Sequence, residues 1–279
     1  MLRRKFEKIV FLLTKPETEK KAKQAILALN KSWTFEKLIK ILSNPATDTK
    51  YAKPILNIMH YFDDRRLIKI ILELIKSHHI SIINESSNCL INISKLSNIK
   101  INELYKIEEH IKIIAKRAFQ LHLFRSTILN DENSTLIIDH IDYDIEKISP
   151  ILLKLGTLRE PQIPIEKYIH FIETKDKQLL PLVLELIETT FSSQAKKFVL
   201  PLIDPDTKPN KIAIGIFKNK FLTKDEMLLF WINSSHLWKK TIALNYCIKN
   251  EKTNLLTEAT WKTSQNIQKE YHLLSTPEI

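Results

Sequence analysis

The chain has 279 residues, 44% hydrophobic and 27% charged, which is the composition of a folded globular protein and excludes an intrinsically disordered one. Its only two glycines, Gly156 and Gly215, leave almost no room for glycine-rich phosphate loops or for the tight turns of an α/β enzyme. The formal net charge of +11 bears on association with anionic partners and not on fold.

Positive charge is concentrated at the start of the chain. Residues 1–62 hold thirteen Lys and Arg against five acids, a net of +8, whereas residues 63–150 hold twelve against thirteen, a net of −1. Such a region attracts nucleic acid, an anionic membrane face or an acidic protein, although a solvated lysine-rich surface is the simpler interpretation. The residues predicted to form this basic patch are Arg3, Arg4, Lys5, Lys8, Lys20, Lys21 and Lys23.

The chain is expected to be a cytoplasmic protein that does not cross a membrane by itself. The longest apolar run near the start, residues 9–13, is far shorter than the ~18 to 20 residues a bilayer requires. Lysine and glutamate interrupt this region and no small-residue cleavage site follows, so a signal peptide is not predicted. Cys89 and Cys247 lie in apolar helical patterns, where cysteine behaves as a small hydrophobe, and a reducing compartment fits them.

Amphipathic periodicity predicts helices throughout the first half of the chain. They are expected at residues 37–43, 50–62, 67–77 and 103–130, with breakers at Pro45, Asp63–Asp64 and Asn98. Residues 80–97 are rich in Ser, Asn and β-branched side chains and could form a strand. We still predict a helix there, because a lone strand in a helical stack would have no partner for its backbone groups.

The second half continues the pattern. An apolar stripe at residues 148, 151, 152 and 155 predicts a helix beginning near Ile145, with Gly156 as a left-handed C-cap and residues 139–144 as an acidic connection before it. A stripe from Leu180 to Phe191 predicts the next helix, and Ser192 or Ser193 then caps one at about 194–203. Thr223 and Glu226 have the spacing of a capping box that opens a further helix, followed by a partner helix through residues 237–248. Further breakers are Pro161, Pro164, Pro205 and Pro209, and the prolines expected within or near helices are Pro54, Pro150, Pro181 and Pro201.

Paired helix starts recur roughly every 30 to 45 residues, the period of HEAT and armadillo arrays. The predicted fold class is therefore all-α, a right-handed α-solenoid of HEAT-like or armadillo-like helical hairpins. We expect one solenoid over residues 1–279, with degenerate basic repeats at 1–100, more regular repeats at 101–260 and a C-terminal cap or tail at 261–279.

Few residue groups suggest chemistry. Asp139, His140, Asp142 and Asp144 could bind a metal, but on a helix His140 does not share the face of Asp139 and Asp142. Residues 108–110 are interpreted as a solvated face, and Cys89 as a buried thiol and not a nucleophile, since no base is indicated beside it. No catalytic, cofactor-binding or metal-binding residue is predicted, and the protein is expected not to be an enzyme and to need no cofactor.

The tryptophans admit two interpretations. Trp231 and Trp238 are seven residues apart, and Lys239 and Lys240 follow directly, a combination that can stack and clamp nucleic acid. Packing of both rings in the core between consecutive helices is the simpler interpretation. Trp33 and Trp261 lie near the two ends of the chain.

Two segments carry a family resemblance. The stretch VLELIETTF at 183–191, continued by QAKKFVLPL at 194–202, resembles a recurring element of the HEAT-repeat domain fused behind bacterial major-facilitator-type nucleotide (ADP/ATP carrier-like) transporters. The segment HLWKKTIALNYC at 236–247 is similar to a later helix of the same family. Glu188 and Thr189 stand where that family often has Asp-Asn, and Lys239 replaces an arginine. The resemblance covers roughly residues 102–250.

This resemblance implies a soluble cytoplasmic solenoid attached to, or derived from, a nucleotide transporter, with membrane association through a partner or a membrane domain outside this sequence. The expected function is a non-enzymatic scaffold that binds a protein partner on its concave surface, with a membrane transporter and an anionic membrane surface as further partners. The alternative is a nucleic-acid-binding HEAT-like protein, including one similar to alkylpurine DNA glycosylases, which would need Trp and Asp placed around a damaged nucleotide.

Overall fold

The computed structural model describes residues 2–43, 49–62, 64, 66–77, 79–96, 104–160, 162–176, 178–218, 221–234 and 236–258. These residues form α-helices, one 3₁₀ turn and short connections, and no strand occurs among them. The all-α prediction is therefore confirmed. Several predicted positions lie outside the described residues: Pro45, Asp63, Asn98, Glu103, Pro161, Trp261 and the tail at 261–279.

Six helices precede residue 100 and nine follow it in the described part of the chain. The first six are α1 (Leu2–Leu12), α2 (Pro16–Leu27), α3 (Lys31–Leu42), α4 (Thr49–Met59), α5 (Arg66–Leu74) and α6 (Ile80–Leu96). The others are α7 (Leu104–Ile128), α8 (Thr135–Gly156), α9 (Ile165–Glu173), α10 (Leu180–Thr190), α11 (Ser193–Ile203), α12 (Pro209–Phe217), α13 (Lys224–Ile232), α14 (Leu237–Lys249) and α15 (Thr253–Glu258), with a 3₁₀ turn at Thr157–Arg159 between α8 and α9.

Side-chain caps define several helix starts. The Oδ1 of Asn30 accepts the backbone N–H of Trp33 at 3.0 Å before α3, and the Oγ of Ser192 accepts that of Ala195 at 3.2 Å before α11. Before α13, the Thr223 side chain accepts the Glu226 N–H while the Glu226 carboxylate accepts the Thr223 N–H at 2.7 Å. The predicted capping box and serine cap are confirmed, and they satisfy backbone donors that a helix start leaves unpaired.

The chain divides into two compact units, each built from two stretches of sequence. Unit 1 comprises Met1–Ile114 and Pro150–Leu200, and unit 2 comprises Ala115–Ser149 and Pro201–Ile279. The single solenoid over 1–279, with its sections at 1–100, 101–260 and 261–279, stays a prediction.

In unit 1, α6 packs against both α4 and α5. Its apolar side chains Ile83 and Leu90 are buried, as are Ser86 and Ser87, whose small side chains suit close packing between helices. The hydroxyl of Ser87 donates to the carbonyl of Ile83 at 2.8 Å, so this buried polar group is satisfied within the helix. Tertiary burial thus outweighs the low helix propensity of residues 80–96, and the helix predicted there is confirmed.

In unit 2, aromatic rings from distant parts of the chain form the core. Phe124 meets Trp231 edge-to-face with centroids 5.6 Å apart, and Phe119 lies 5.9 Å from Phe217. The side-chain amide of Gln120 binds both backbone groups of Leu222, donating at 2.9 Å and accepting at 2.6 Å. These contacts fix the connection before α13 against α7.

Gly156 does not form the predicted left-handed cap. Its φ of −67° and ψ of −31° are right-handed, and it ends α8 as an ordinary helical residue. A Cβ at this position would overlap ring atoms Cε2 and Cζ of Phe191, so glycine is required here by close packing and not by backbone conformation. Positive φ occurs instead at four non-glycine residues of the described chain: Asn133, Lys175, Lys218 and Glu251.

No helix among the described residues combines the length and the apolar character needed to cross a lipid bilayer.

The two glycines provide a matched test. Gly156→Ala should destabilise the protein by roughly 1–3 kcal/mol, because the added methyl group overpacks against Phe191. Gly215→Ala, in α12 with no atom within 4 Å of the new Cβ, should stabilise by about 0.5–1 kcal/mol through helix propensity. Urea unfolding of both variants measures these changes. Equal effects of the same sign would contradict the assignment, and Phe191→Leu should reduce the cost at position 156.

Candidate functional site

The predicted basic patch lies on the first two helices. Lys5 and Lys8 are exposed on α1, and Lys20 and Lys21 are exposed on α2. Lys23 is engaged differently, because its Nζ donates to the Tyr61 hydroxyl at 3.2 Å and lies 4.5 Å from the Tyr61 ring centroid. The side chains of Arg3 and Arg4 lie outside the described residues. A binding role for these residues stays a prediction.

The acidic segment at 139–144 is helical and not a connection. It lies inside α8, which begins ten residues before the predicted start. Ile137, Ile141, Asp144 and Ile148 follow helical spacing and are all buried, so the apolar stripe continues upstream with an aspartate in it. An aspartate on an apolar stripe is a sequence signal of a buried polar site. Here the neighbouring acids make the segment resemble an exposed acidic connection, so that this signal is easily overlooked.

Asp144 carries a charge almost fully removed from water. Its residue is 3% exposed, and one carboxylate oxygen binds the Nζ of Lys239 from the first turn of α14. The other oxygen lies 3.9 Å from Nε2 of His140, one turn earlier on α8. Arg117 of α7 also interacts electrostatically with Asp144. An unpaired buried charge is costly, so the carboxylate of Asp144 can be buried only because these cations compensate its charge.

His140 is enclosed by rings. It meets Trp231 edge-to-face at 5.5 Å, stacks on Tyr143 at 6.1 Å, and lies 6.0 Å from the ring of His236. Burial lowers the pKa of His140 below its ordinary value; Asp144 opposes the shift, and Lys239 and His236 add to it. The imidazole is therefore neutral near pH 7, and Lys239 is the cation that directly balances Asp144.

Lys239 also connects the cluster to the core and to the helix start. Its Nζ lies 5.3 Å from the Trp231 ring centroid, and its backbone N–H binds Nδ1 of His236, the N-cap of α14, at 3.4 Å. The ion pair therefore fixes the first turn of α14 against α8. We call Asp144, Lys239, His140, His236 and Trp231 the buried polar cluster.

An exposed apolar surface lies beside this cluster. Tyr143 is 54% exposed, and Leu237 and Trp238 are each 53% exposed. Tyr143 stacks on His140, and the other two residues directly follow His236. We call Tyr143, Leu237 and Trp238 the aromatic corner. The prediction that Trp231 packs in the core is confirmed, whereas the same prediction for Trp238 is wrong: the adjacent Lys239 is directed to Asp144, which leaves the Trp238 ring in solvent.

Several other charged groups of unit 2 have structural partners. Asp131, after α7, binds both Lys224 at the start of α13 and the hydroxyl of Tyr246 in α14. Arg125 binds both carboxylate oxygens of Asp142, at 2.6 and 3.0 Å. Two of the acids considered for a metal site, Asp142 and Asp144, are thus engaged by cations. In the described parts of the chain, no group of three or more His, Cys, Asp or Glu is arranged to hold a metal ion.

Both cysteines are buried thiols, as predicted. Burial raises the pKa of Cys89 and of Cys247 to about 12, so neither is a thiolate at neutral pH. The interpretation of residues 108–110 as a solvated face is wrong for His110, which is buried in unit 1. Glu108 of the same segment pairs with Arg159 at 3.0 Å.

Comparison of the chain with protein-family models, with curated proteins and with solved structures found no match. The resemblance to the transporter-linked HEAT domain stays a prediction.

The ion pair can be tested by a double-mutant cycle. Asp144→Asn should destabilise the protein by about 3 kcal/mol, because Lys239 would be left buried without its counter-charge. Lys239→Met should cost a similar amount, whereas the double variant Asp144→Asn with Lys239→Met should cost clearly less than the sum of the two single changes. Denaturant unfolding measures all three, and additive costs would show that the two side chains do not form a pair.

Proposed function

We propose that the protein is a non-enzymatic helical scaffold that binds a protein partner, and that the aromatic corner is the binding surface in unit 2. The observation that carries this proposal is the exposure of Leu237 and Trp238 at the start of α14 and of Tyr143 on α8, which are linked through the neighbouring rings of His140 and His236. Exposed Trp and Tyr side chains that lie together are typical of interface centres, where a few residues supply most of the binding energy.

The buried polar cluster gives this surface a fixed shape. The Tyr143 ring stacks on the His140 ring, and the ion pair between Asp144 and Lys239 holds the first turn of α14. A surface held in its binding conformation loses less entropy on association, which favours affinity. The polar cluster therefore has a role without any reaction: it presents the aromatic corner.

We extend the proposal to the finer fold class, a right-handed α-solenoid of HEAT-like or armadillo-like hairpins. Packing between consecutive helices supports it, as in α1 with α2, α9 with α10, and α13 with α14. A link to a nucleotide transporter, in a cytoplasmic setting, is supported by the sequence resemblance alone.

Nucleic-acid binding is a second candidate with one specific observation in its favour. The Nζ of Lys147 lies 5.7 Å from the Tyr143 ring centroid, so an exposed ring and a cation occur together at the corner, as in stacking platforms for single strands. Charge argues against it, since the sequence of unit 2 holds fifteen Lys and Arg against fourteen acids, a net of +1. The glycosylase-like version needs an accessible Asp beside an accessible Trp; Trp238 is exposed, but Asp144, the acid that binds the adjacent Lys239, is buried.

Affinity capture with matched variants tests the proposal. Leu237→Ser with Trp238→Ser removes the two corner side chains on α14, while Ile214→Ser removes another exposed apolar side chain of unit 2 on α12. We expect that the unaltered chain and the Ile214→Ser control both retain a partner protein, and that the double variant does not retain it. With that protein purified, the dissociation constant should rise at least about 30-fold, the effect of losing a ~2 kcal/mol hot spot. Identical capture by all three chains would contradict the proposal.

A salt titration separates the second candidate from the first. Affinity for single-stranded or duplex DNA that falls steeply between about 50 and 200 mM salt, and that is lost with Trp238→Ser, would favour the nucleic-acid function. If the protein is a scaffold, any binding of DNA at about 50 mM salt should not depend on Trp238.

A further inference from the structure

We propose that the solvent-facing side of α1 in unit 1 binds directly to an anionic lipid membrane surface. The inference does not rest on the aromatic corner, which belongs to unit 2. It rests on a combination of exposed apolar and cationic side chains on one helix face.

The apolar stripe of α1 is used by the fold. Phe6, Val10 and Leu13 are buried, and Phe6 meets Trp33 edge-to-face with centroids 5.1 Å apart. The hydroxyl of Thr18 donates to the carbonyl of Leu12 at 2.7 Å and so satisfies a group at the helix end. The orientation of α1 is thereby fixed, and its remaining face points to solvent.

That outer face is not simply polar. Phe11 is 44% exposed and Leu12 is 36% exposed, and they follow Lys8 by three and four residues, so the lysine lies between them on the helix surface. Lys5 lies one turn before Lys8, and the Nζ of Lys15 lies 4.9 Å from the Phe11 ring centroid. The face thus alternates cations with two large apolar side chains.

This pattern matches an interfacial contact more closely than an ordinary solvated surface. Helices that lie on membranes place Phe and Leu at the boundary of the acyl chains, while neighbouring lysines contact anionic headgroups. Lysine stems can extend along apolar material while the ammonium group remains in water, which fits Lys8 between its two apolar neighbours.

Charge complementarity identifies the lipid as anionic. Residues 1–62 carry +8, and the sequence of unit 1 holds twenty-eight Lys and Arg against eighteen acids, a net of +10. Exposed Lys20 and Lys21 on α2 add to the field, while Glu7, Glu17 and Glu19 offset part of it. Clustered lysines are attracted to the negative surface potential of leaflets that contain phosphatidylserine. A neutral bilayer has no comparable surface potential.

Vesicle co-sedimentation of the full chain tests the inference. The affinity of the protein for vesicles of phosphatidylcholine with about 30% phosphatidylserine should be at least tenfold higher than its affinity for vesicles of pure phosphatidylcholine. Raised salt should weaken binding to the anionic vesicles. Lys5→Glu with Lys8→Glu should reduce the affinity for the anionic vesicles at least tenfold, and Phe11→Ser with Leu12→Ser should also reduce it several-fold.

Lys208→Glu with Lys211→Glu, at exposed lysines of unit 2, is the matched charge control and should leave sedimentation unchanged. Thermal melts monitored by circular dichroism must show that each α1 variant is folded. Equal sedimentation on neutral and anionic vesicles, or an equal loss in the control, would overturn the inference. So would binding of duplex DNA that depends on Lys5 and Lys8 without any sedimentation on vesicles, because it would assign the face to nucleic acid.

Discussion

A buried carboxylate that must be balanced within the protein is the constraint on which unit 2 depends. Asp144 occupies a position on the stripe of α8 where an apolar residue would ordinarily lie, and Lys239 of α14 supplies the opposite charge. The pair links two residues that lie ninety-five positions apart in the sequence, directs Lys239 inward and leaves Trp238 in solvent. One electrostatic interaction thereby holds the first turn of α14 against α8 and accounts for the exposure of Trp238.

Local signals predicted the helices well, because apolar periodicity and caps act over a few residues. The stripe at 180–191, the serine before α11 and the capping box at Thr223 all occur where the pattern placed them. Even residues 80–96, with poor helix propensity, were correctly assigned from the need to satisfy backbone groups. The left-handed cap predicted at Gly156 is wrong because the role of this glycine depends on Phe191, thirty-five residues away, and no local rule reports that contact.

The candidate site was much less accessible to prediction. The sequence shows the acidic residues of α8 as a group, yet the individual partners of Asp142 and Asp144 come from α7 and α14 and cannot be found from spacing. Trp238 differs from Trp231 locally in that two lysines follow it. The inward direction of one of them, Lys239, which binds Asp144 while the Trp238 ring stays exposed, cannot be found from spacing. The two proposed surfaces also differ in kind: the corner of unit 2 is aromatic with little net charge, whereas the outer face of α1 in unit 1 is cationic with two apolar side chains.

The central claim is that the buried polar cluster is a closed support in which Lys239 balances Asp144 and His140 stays neutral. NMR titration of the His140 ring in the full chain, between about pH 8 and pH 5, tests it most directly. The structure predicts a pKa below the ordinary value of about 6.5, because burial disfavours the imidazolium. A pKa at or above 6.5 would contradict the account, since the imidazolium would then be stabilised beside Asp144 and would share with Lys239 the balancing of its charge.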